Sequence, residues 1–299
     1  LGPADLVYPE DRALVAENVR RRVEGELEEI RYEFRGLRKD GSINSIEVHG
    51  GRVEYGGQVG VIGTLVDITE RKRAEAERWT HLRFLESLDH VNRVIQGASD
   101  VEQMLGEVLD VVLAALDCDR AFLMYPCDPH APRWRSPQER TRPEYPGANA
   151  LGLEIPMDPD VAETLRRLLA SDGPVKFGPG GQHPLPGDVA SQFGIKSFMS
   201  MALRPKVGQP WQFGVHQCSH VRVWTPEDER LFQEIGRRIS DALTVLLANR
   251  HLQESERRYR EIFENTSDAI TIAEVTPEGR FRLLEFNPAW EIIAGVDRT

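Results

Sequence analysis

The stretch Gly60–Trp79, GVIGTLVDITERKRAEAERW, decides how this chain is read. Apolar-leaning residues end in Asp67-Ile68-Thr69, and those that follow are almost all charged or small. A strand that stops at Asp-x-Thr and runs straight into a charged helix is a junction. Short polar side chains there bond the free backbone N–H groups of the helix start and fix the angle at which it leaves the sheet. Upstream, RYEFRGLR (31–38), INSIEVHGGRVEY (43–55) and VGVIGTLVDIT (59–69) predict three antiparallel strands. The Asp40-Gly41 and Gly56-Gly57 pairs supply the positive φ angles of two-residue hairpin turns. The third strand is apolar on both sides, which predicts a central position in the sheet. Before the meander, Leu14, Val15, Val19 and Val23 stand at helical spacing, with Asp11 near the helix start.

The totals bound the answer. A chain of 299 residues suits two or more domains, and 40% hydrophobic residues suffice for packed cores. The net charge of −11 argues against a nucleic-acid surface, which needs a basic face to neutralise phosphates. No apolar run reaches the roughly 20 residues of a membrane span and no signal segment opens the chain, so the expected location is cytoplasmic. Cys118, Cys127 and Cys218 are an odd number in such a chain and are expected to be free thiols. The chain opens without Met and ends within what reads as a folded unit, so it is expected to be a fragment of a longer protein.

Beyond the junction, His81, Leu85, Leu88, Asn92 and Ile95 alternate by four and three, a short heptad seam on which Asn92 would fix the register of paired helices. Leu82, Phe84, Val91 and Val94 equally fit a helix packed on its own domain. Ser99 or Asp100 then opens another helix, and CDRAFLMYPCD (118–128) reads as a strand. Eight prolines from Pro126 to Pro159 predict a long loop without regular structure. A helix from Asp158, a glycine-rich loop (FGPGGQHPLPG, 177–187) and two strands follow. Thr225 caps a long helix with Pro226 at its first position. Ile235, Ile239, Ala242, Leu246 and Asn249 carry the four-three spacing along it, which gives Asn249 a register role like that of Asn92.

The most chemical-looking run is VHQCSHVRVW (215–224). His216, Cys218 and His220 recur at a period of two, so on a strand they share one face, and imidazole and thiolate are ligands for zinc, copper or haem iron. The alternative is the inner side of a polar pocket or a hydrogen-bonded flank. Arg133, Arg135, Arg140 and Arg142 with Trp134 and Tyr145 form a cluster that would receive an anion or simply be a solvated loop. The glycine-rich loop lacks the Gly-Lys-Ser/Thr ending of a phosphate loop. No nucleophile or acid–base pair is assembled, so the fragment is expected not to be an enzyme.

These patterns resemble known sensory domains. Residues 5–77, with Arg35-x-Leu37-Arg38-Lys39-Asp40-Gly41 and the GTLVDITERKRAE exit, resemble the C-terminal half of a PAS domain. Residues 80–250, most specifically WTPEDERLF (224–232), resemble a GAF domain. Phe263, Asp268, Ala269, Ile270 and LLEFNPAW (283–290) resemble the opening of a second PAS domain. The implied fold is α+β: tandem PAS-like and GAF-like domains, antiparallel sheets flanked by helices, joined by long signalling helices. The expected divisions are a PAS half at 1–70, a connecting helix at 71–98, a GAF core at 99–235, a second connecting helix at 236–258 and a PAS opening at 259–299.

By resemblance, Asp67 and Thr69 couple sheet to helix. A histidine near the His216/Cys218/His220 strand touches the bilin in phytochromes, with His220 the nearest match. No cofactor is evident, since there is no R-A-P-H-x-C run for a bilin, no N-K-x-F-D-E run for a cyclic nucleotide and no N-C-R-F-L-Q flavin motif. The implied partners are a second copy through the connecting helices, a small molecule in the GAF pocket and, for the parent protein, a response regulator. The implied function is a signal-relay segment of a two-component sensor whose output is a histidine kinase. The alternatives are a ligand-free relay upstream of a diguanylate cyclase, or a metal- or haem-binding redox sensor.

Overall fold

The computed structural model describes residues 3–98, 100–149, 152, 154–277 and 279–295. It divides into two units, residues 1–86 and 87–299. No helix among the described residues is long and apolar enough to cross a membrane.

In the first unit, helix α1 (Arg12–Val23) precedes strands β1 (Glu29–Leu37), β2 (Ile43–Tyr55) and β3 (Gln58–Asp67), which form an antiparallel sheet in the order β1-β2-β3. Gly56 and Gly57, both at positive φ, make the two-residue β2–β3 turn. The β1–β2 turn differs from expectation. The Gly41 N–H bonds Arg38 O and the Arg38 N–H bonds Ser42 O, so the loop is a four-residue turn closed by Gly41 alone at positive φ. Asp40 holds it by accepting from the Ser42 N–H and hydroxyl.

Strand β3 is not central. It lies at the edge, with Ile62 and Leu65 more than 60% exposed, because the hydrophobic cluster of this unit forms from Val7, before α1, with Phe34 of β1 and Val48 of β2. The apolar positions of α1 do not form a buried stripe either. Leu14 and Val23 are exposed while Asn18 and Arg22 are buried, and the Asp11 carboxylate bonds Arg35 rather than capping the helix. Helix α2 (Thr69–Gly97) leaves directly from β3.

In the second unit, α3 (Val101–Ala115) is capped by Asp100, whose carboxylate accepts from the N–H groups of Glu102 and Gln103. Ser99, the alternative cap, lies outside the described residues. Strands β4 (Arg120–Tyr125), β5 (Arg133–Thr141) and β6 (Ile155–Pro156), helix α4 (Pro159–Ala170), strand β7 (Val175–Phe177), helix α5 (Gly187–Gln192) and strands β8 (Ser197–Leu203) and β9 (Trp211–Gln217) follow. The sheet is antiparallel in the order β6-β5-β4-β9-β8-β7.

Strand β5 contradicts the reading of the proline-rich segment as loop. Its Pro137 sits where the pairing skips from Leu123↔Gln138 to Tyr125↔Arg135, leaving two residues opposite one. A bulge is where a residue without an N–H costs the ladder nothing.

Each sheet face has its own cover. Ala121, Leu123, Phe213 and Val215 face α3 and the long helix α6 (Pro226–Asn265), where Phe213 stacks on Phe232 at 4.3 Å. Gly236 permits this approach, since a Cβ there would lie 2.5 Å from the Met201 sulfur. The opposite face presents Phe122, Met124, Phe198 and Ala202 to a cluster with Val161 and Leu165 of α4 and Ala190 of α5. The chain closes with the hairpin β10 (Thr271–Val275) and β11 (Phe281–Phe286) and helix α7 (Pro288–Ala294). Asn287 is buried there, accepting from the Ile270 and Trp290 N–H groups and donating to Asp268 O.

Gly214 lets the Phe122 ring lie over β9, because a Cβ would meet that ring at 2.4 Å and Phe198 at 3.1 Å. Phe122 is held by Phe198 and His216 and cannot swing aside. Gly214→Ala is therefore expected to cost about 1–3 kcal/mol by overpacking. Urea denaturation checks this, and an unchanged midpoint would show that the ring moves freely.

Candidate functional site

Two places gather polar side chains in a way that bears on function, one in each unit. In the first, Ile68 is buried between Asp67 and Thr69 and anchors the point where β3 becomes α2. Asp67 accepts from the Thr69 hydroxyl (2.5 Å) and N–H (3.0 Å), from the Asn44 amide (3.1 Å) and from Arg38 (2.6 Å). The Thr69 oxygen in turn accepts from the Ser45 N–H at 2.9 Å. The bonds from Thr69, with those from Asn44 and Arg38, hold the Asp67 carboxyl far below the usual carboxylate range.

The first turn of α2 is tied to the same sheet by ion pairs, Arg71 to Glu47 at 2.7 Å and Lys72 to Glu33 at 2.5 Å. Arg31 and Arg71 bring the Glu47 carboxyl down to about 2. Exposed pairs of this kind contribute little individually, but together they fix the direction of the exit helix on β1 and β2.

In the second unit, a cavity of about 50 Å³ lies between the sheet and helices α4 and α5. Its walls are aromatic and aliphatic, including Phe122, Phe193, Phe198 and Trp134, and its charged end is Arg120, His216 and Glu139. The strand register makes this end, because Arg120 on β4 stands directly opposite His216 on β9, with Phe198 of β8 beyond it. Arg120 is 2% exposed; it donates to the Tyr145 and Pro146 carbonyls at 2.9 Å and lies 3.1 Å from His216 Nδ1. A guanidinium has only donors, so Nδ1 accepts and His216 is neutral with its proton on Nε2. Burial, aided by the Arg120 charge, pushes the imidazole well below its ordinary value.

The three residues predicted to share one face do not come together. Strand β9 ends at Gln217, because the Asp119 carboxylate captures the N–H groups of Cys218 and Ser219 at 2.8 and 2.7 Å and breaks the ladder. Burial pushes the Asp119 carboxyl up, and the bonds from Ser219 and Cys218 outweigh it, so it titrates below its ordinary value. His216 lines the cavity, Cys218 is buried with its sulfur 3.8 Å from Phe193 O, and His220 is exposed. Burial pushes the Cys218 thiol up, which disfavours the thiolate a metal would need. Among the described residues no group of three His, Cys, Asp or Glu side chains is placed to hold a metal ion.

The two asparagines expected to set helix register have different surroundings. Asn92 accepts from Arg238 at 2.9 Å within the same unit, so its amide is engaged inside the chain, and Asn249 lies exposed on α6. The sequence reading missed Arg120 and Glu139. Arg120 was signalled only as a charge at the head of the apolar run AFLMY, and Glu139 by nothing, since it falls in the stretch read as loop.

The second unit is thus a helix-covered antiparallel sheet with a cavity on one face, continued by α6 to a hairpin and a short helix. Residues 100–243 match the family model of the GAF domain, and residues 257–299 match that of the PAS domain; the chain is a PAS/GAF sensory segment. No curated protein matches the chain. Among solved structures, the photosensory core module of Stigmatella aurantiaca phytochrome is similar at 16% identity, covering 98% of this chain and 64% of that one, with a TM-score of 0.48. The phycocyanobilin-bound GAF domain of a cyanobacterial phytochrome is similar at 18% identity, covering 56% of this chain and 97% of that one, with a TM-score of 0.47.

The buried neutral imidazole has a consequence for stability. Its folded pKa lies below its unfolded one, so only the unfolded chain takes up a proton as pH falls through about 6.5. Stability is then lost toward acid by about 1.4 kcal/mol per pH unit from this group, down to the folded pKa. His216→Gln is expected to flatten the dependence of unfolding free energy on pH between about 6.5 and 5. Equal slopes in the two proteins would mean that His216 is not held neutral.

Proposed function

We propose that this segment relays a signal: a small molecule in the GAF cavity, or a partner, biases the arrangement of the sheet, and paired helices carry the bias to an output domain. One observation carries the reading. Helix α6 is 40 residues long and unbroken, and its two halves have different surroundings. The first half starts in a capping box, Thr225 with Asp228, and buries Leu231, Phe232, Ile235, Gly236, Ile239, Ala242 and Leu243 in its own domain. The second half leaves that core, and Val245, Leu252 and Tyr259 are exposed at intervals of seven. A helix whose root is fixed in a ligand-binding core, and whose extension carries a heptad stripe, transmits small movements of the core as rigid displacement.

Of the seam expected from sequence, Ile235, Ile239 and Ala242 are therefore spent on the domain itself, and self-association belongs to the stretch from Val245 onward. The Asp67–Thr69 network serves the same purpose at the exit of the first sheet. By resemblance the output domain is a histidine kinase acting on a response regulator, with a diguanylate cyclase as the second choice. A phytochrome GAF domain similar to this chain holds phycocyanobilin; the cavity of about 50 Å³ here supports a small ligand or none.

Sedimentation tests the helix pairing. The chain is expected to be a dimer at tens of micromolar, and Leu252→Asp to make it monomeric with its GAF fold intact; a wild-type monomer would sink the relay through paired helices. Native mass spectrometry of the same preparation tests whether the cavity holds a molecule.

At the other junction, Asp67→Ala is expected to leave folding cooperative but weaken the response of the full-length protein to its stimulus. An unaltered response would show that the network is only a helix cap.

A further inference from the structure

We infer that the GAF cavity is built for a small neutral molecule that presents a carbonyl or similar acceptor to Arg120 and His216, and that it rejects anions. This rests on the reading that the cavity holds a ligand, and names the class of that ligand. Arg120 and Glu139 both line the cavity, and their side chains are 2% and 4% accessible, with 3.7 Å between Arg120 Nε and Glu139 Oε1. His216, the third polar group at this end, is neutral because Arg120 donates to its Nδ1. The charged end therefore sums to zero. A carboxylate or phosphate entering it would sit against the Glu139 carboxylate, and a cation against the guanidinium, each without a free counter-charge.

Hydrogen-bonding capacity gives the polarity of the ligand. Arg120 spends its terminal nitrogens on His216 and on backbone carbonyls, while its Nε makes no hydrogen bond although buried. The neutral His216 keeps its proton on Nε2. Trp134 also lines the cavity, and its indole N–H is buried without an acceptor. Trp211 and Trp224 carry equally unmatched indole N–H groups away from the cavity, so Trp134 alone would say little; the guanidinium Nε is the informative atom. The unmatched groups are donors, so a ligand that complements this end supplies acceptors.

Volume sets the size. At roughly 10–15 Å³ for each water-sized group, the 50 Å³ cavity takes a molecule of about three to five non-hydrogen atoms. The aromatic walls of Phe122, Phe193 and Phe198 suit an apolar body behind the carbonyl.

The test uses an isosteric pair, acetamide and acetate, alike in shape and different in charge. The 1H–15N resonance of Arg120 Nε, assigned with Arg120→Lys, reports the polar end, and the Trp134 indole resonance, assigned with Trp134→Phe, gives a second probe on the cavity wall. Acetamide is expected to shift the Arg120 resonance saturably, with a midpoint at least ten-fold below that of acetate. Glu139→Gln, which removes the negative charge and keeps an acceptor for the Asn149 N–H, should reverse the preference. Equal or tighter binding of acetate to the wild type would overturn the neutral-ligand inference while leaving the cavity a ligand site. No shift with acetamide up to about 100 mM, a concentration that detects dissociation constants in the millimolar range, would overturn it as well. The wider reading would then stand or fall on whether native mass spectrometry finds another molecule bound.

Discussion

The second unit is organised around one buried carboxylate. Asp119 Oδ2 accepts from the Gln217 amide, from the Cys218 and Ser219 N–H groups and from the Ser219 hydroxyl, all within 2.8 Å. That single atom ends β9 and turns the chain. It also fixes the start of β4 against the end of β9, since the Asp119 N–H bonds His216 O. The next residue along β4 is Arg120, and the pairing this enforces puts its guanidinium against the His216 ring. A carboxylate with four donors can remain ionised at full burial, whereas one deprived of them would cost several kcal/mol.

The same turn reaches the long helix. Arg222, five residues beyond Gln217, donates to the Leu116 and Asp117 carbonyls, to Gln217 Oε1 and to Asp228. Asp228 is the partner of Thr225 in the capping box that starts α6. The end of α3, the end of the cavity-lining strand and the first turn of α6 are thus joined through one guanidinium. On the proposed function, a ligand acting on His216 or Arg120 would work on a strand whose end shares hydrogen bonds with the helix root. This is a continuous set of contacts from the cavity-lining strand to the helix root.

Local chemistry made much of this legible in the sequence. Gly56-Gly57 gave a turn, Thr225-Pro226 a helix start, and Asp67-Ile68-Thr69 an exit, because each depends on residues adjacent in the chain. The errors share a cause. Strand β3 was placed at the centre because Val59, Val61, Ile62, Leu65 and Val66 are apolar, but position in a sheet is set by which strands pair, not by the strand's own composition. Strand β5 was hidden by its flanking prolines, since a bulge that tolerates Pro137 exists only once β4 lies beside it. His216, Cys218 and His220 looked like one face because the period of two was extended past Gln217, where a carboxylate almost a hundred residues earlier in the chain stops it.

The candidate site was the least legible part for the same reason. Arg120, Glu139 and His216 come from three strands, and only the antiparallel register makes them neighbours. What distinguishes them from a surface cluster is burial: a guanidinium, a carboxylate and an imidazole inside an otherwise apolar wall are retained against a desolvation cost that hydrophobic residues of similar volume would avoid. Part of that cost is met by carbonyls from the Tyr145-Pro146 segment, which explains why an irregular stretch is held against the cavity. The remainder falls on Arg120 Nε, the one position of that guanidinium still without an acceptor. Under the proposed reading, an acceptor bound at Arg120 Nε would complete this end of the cavity and change its packing, and α6, rooted in the same domain, has the length to carry that change outward.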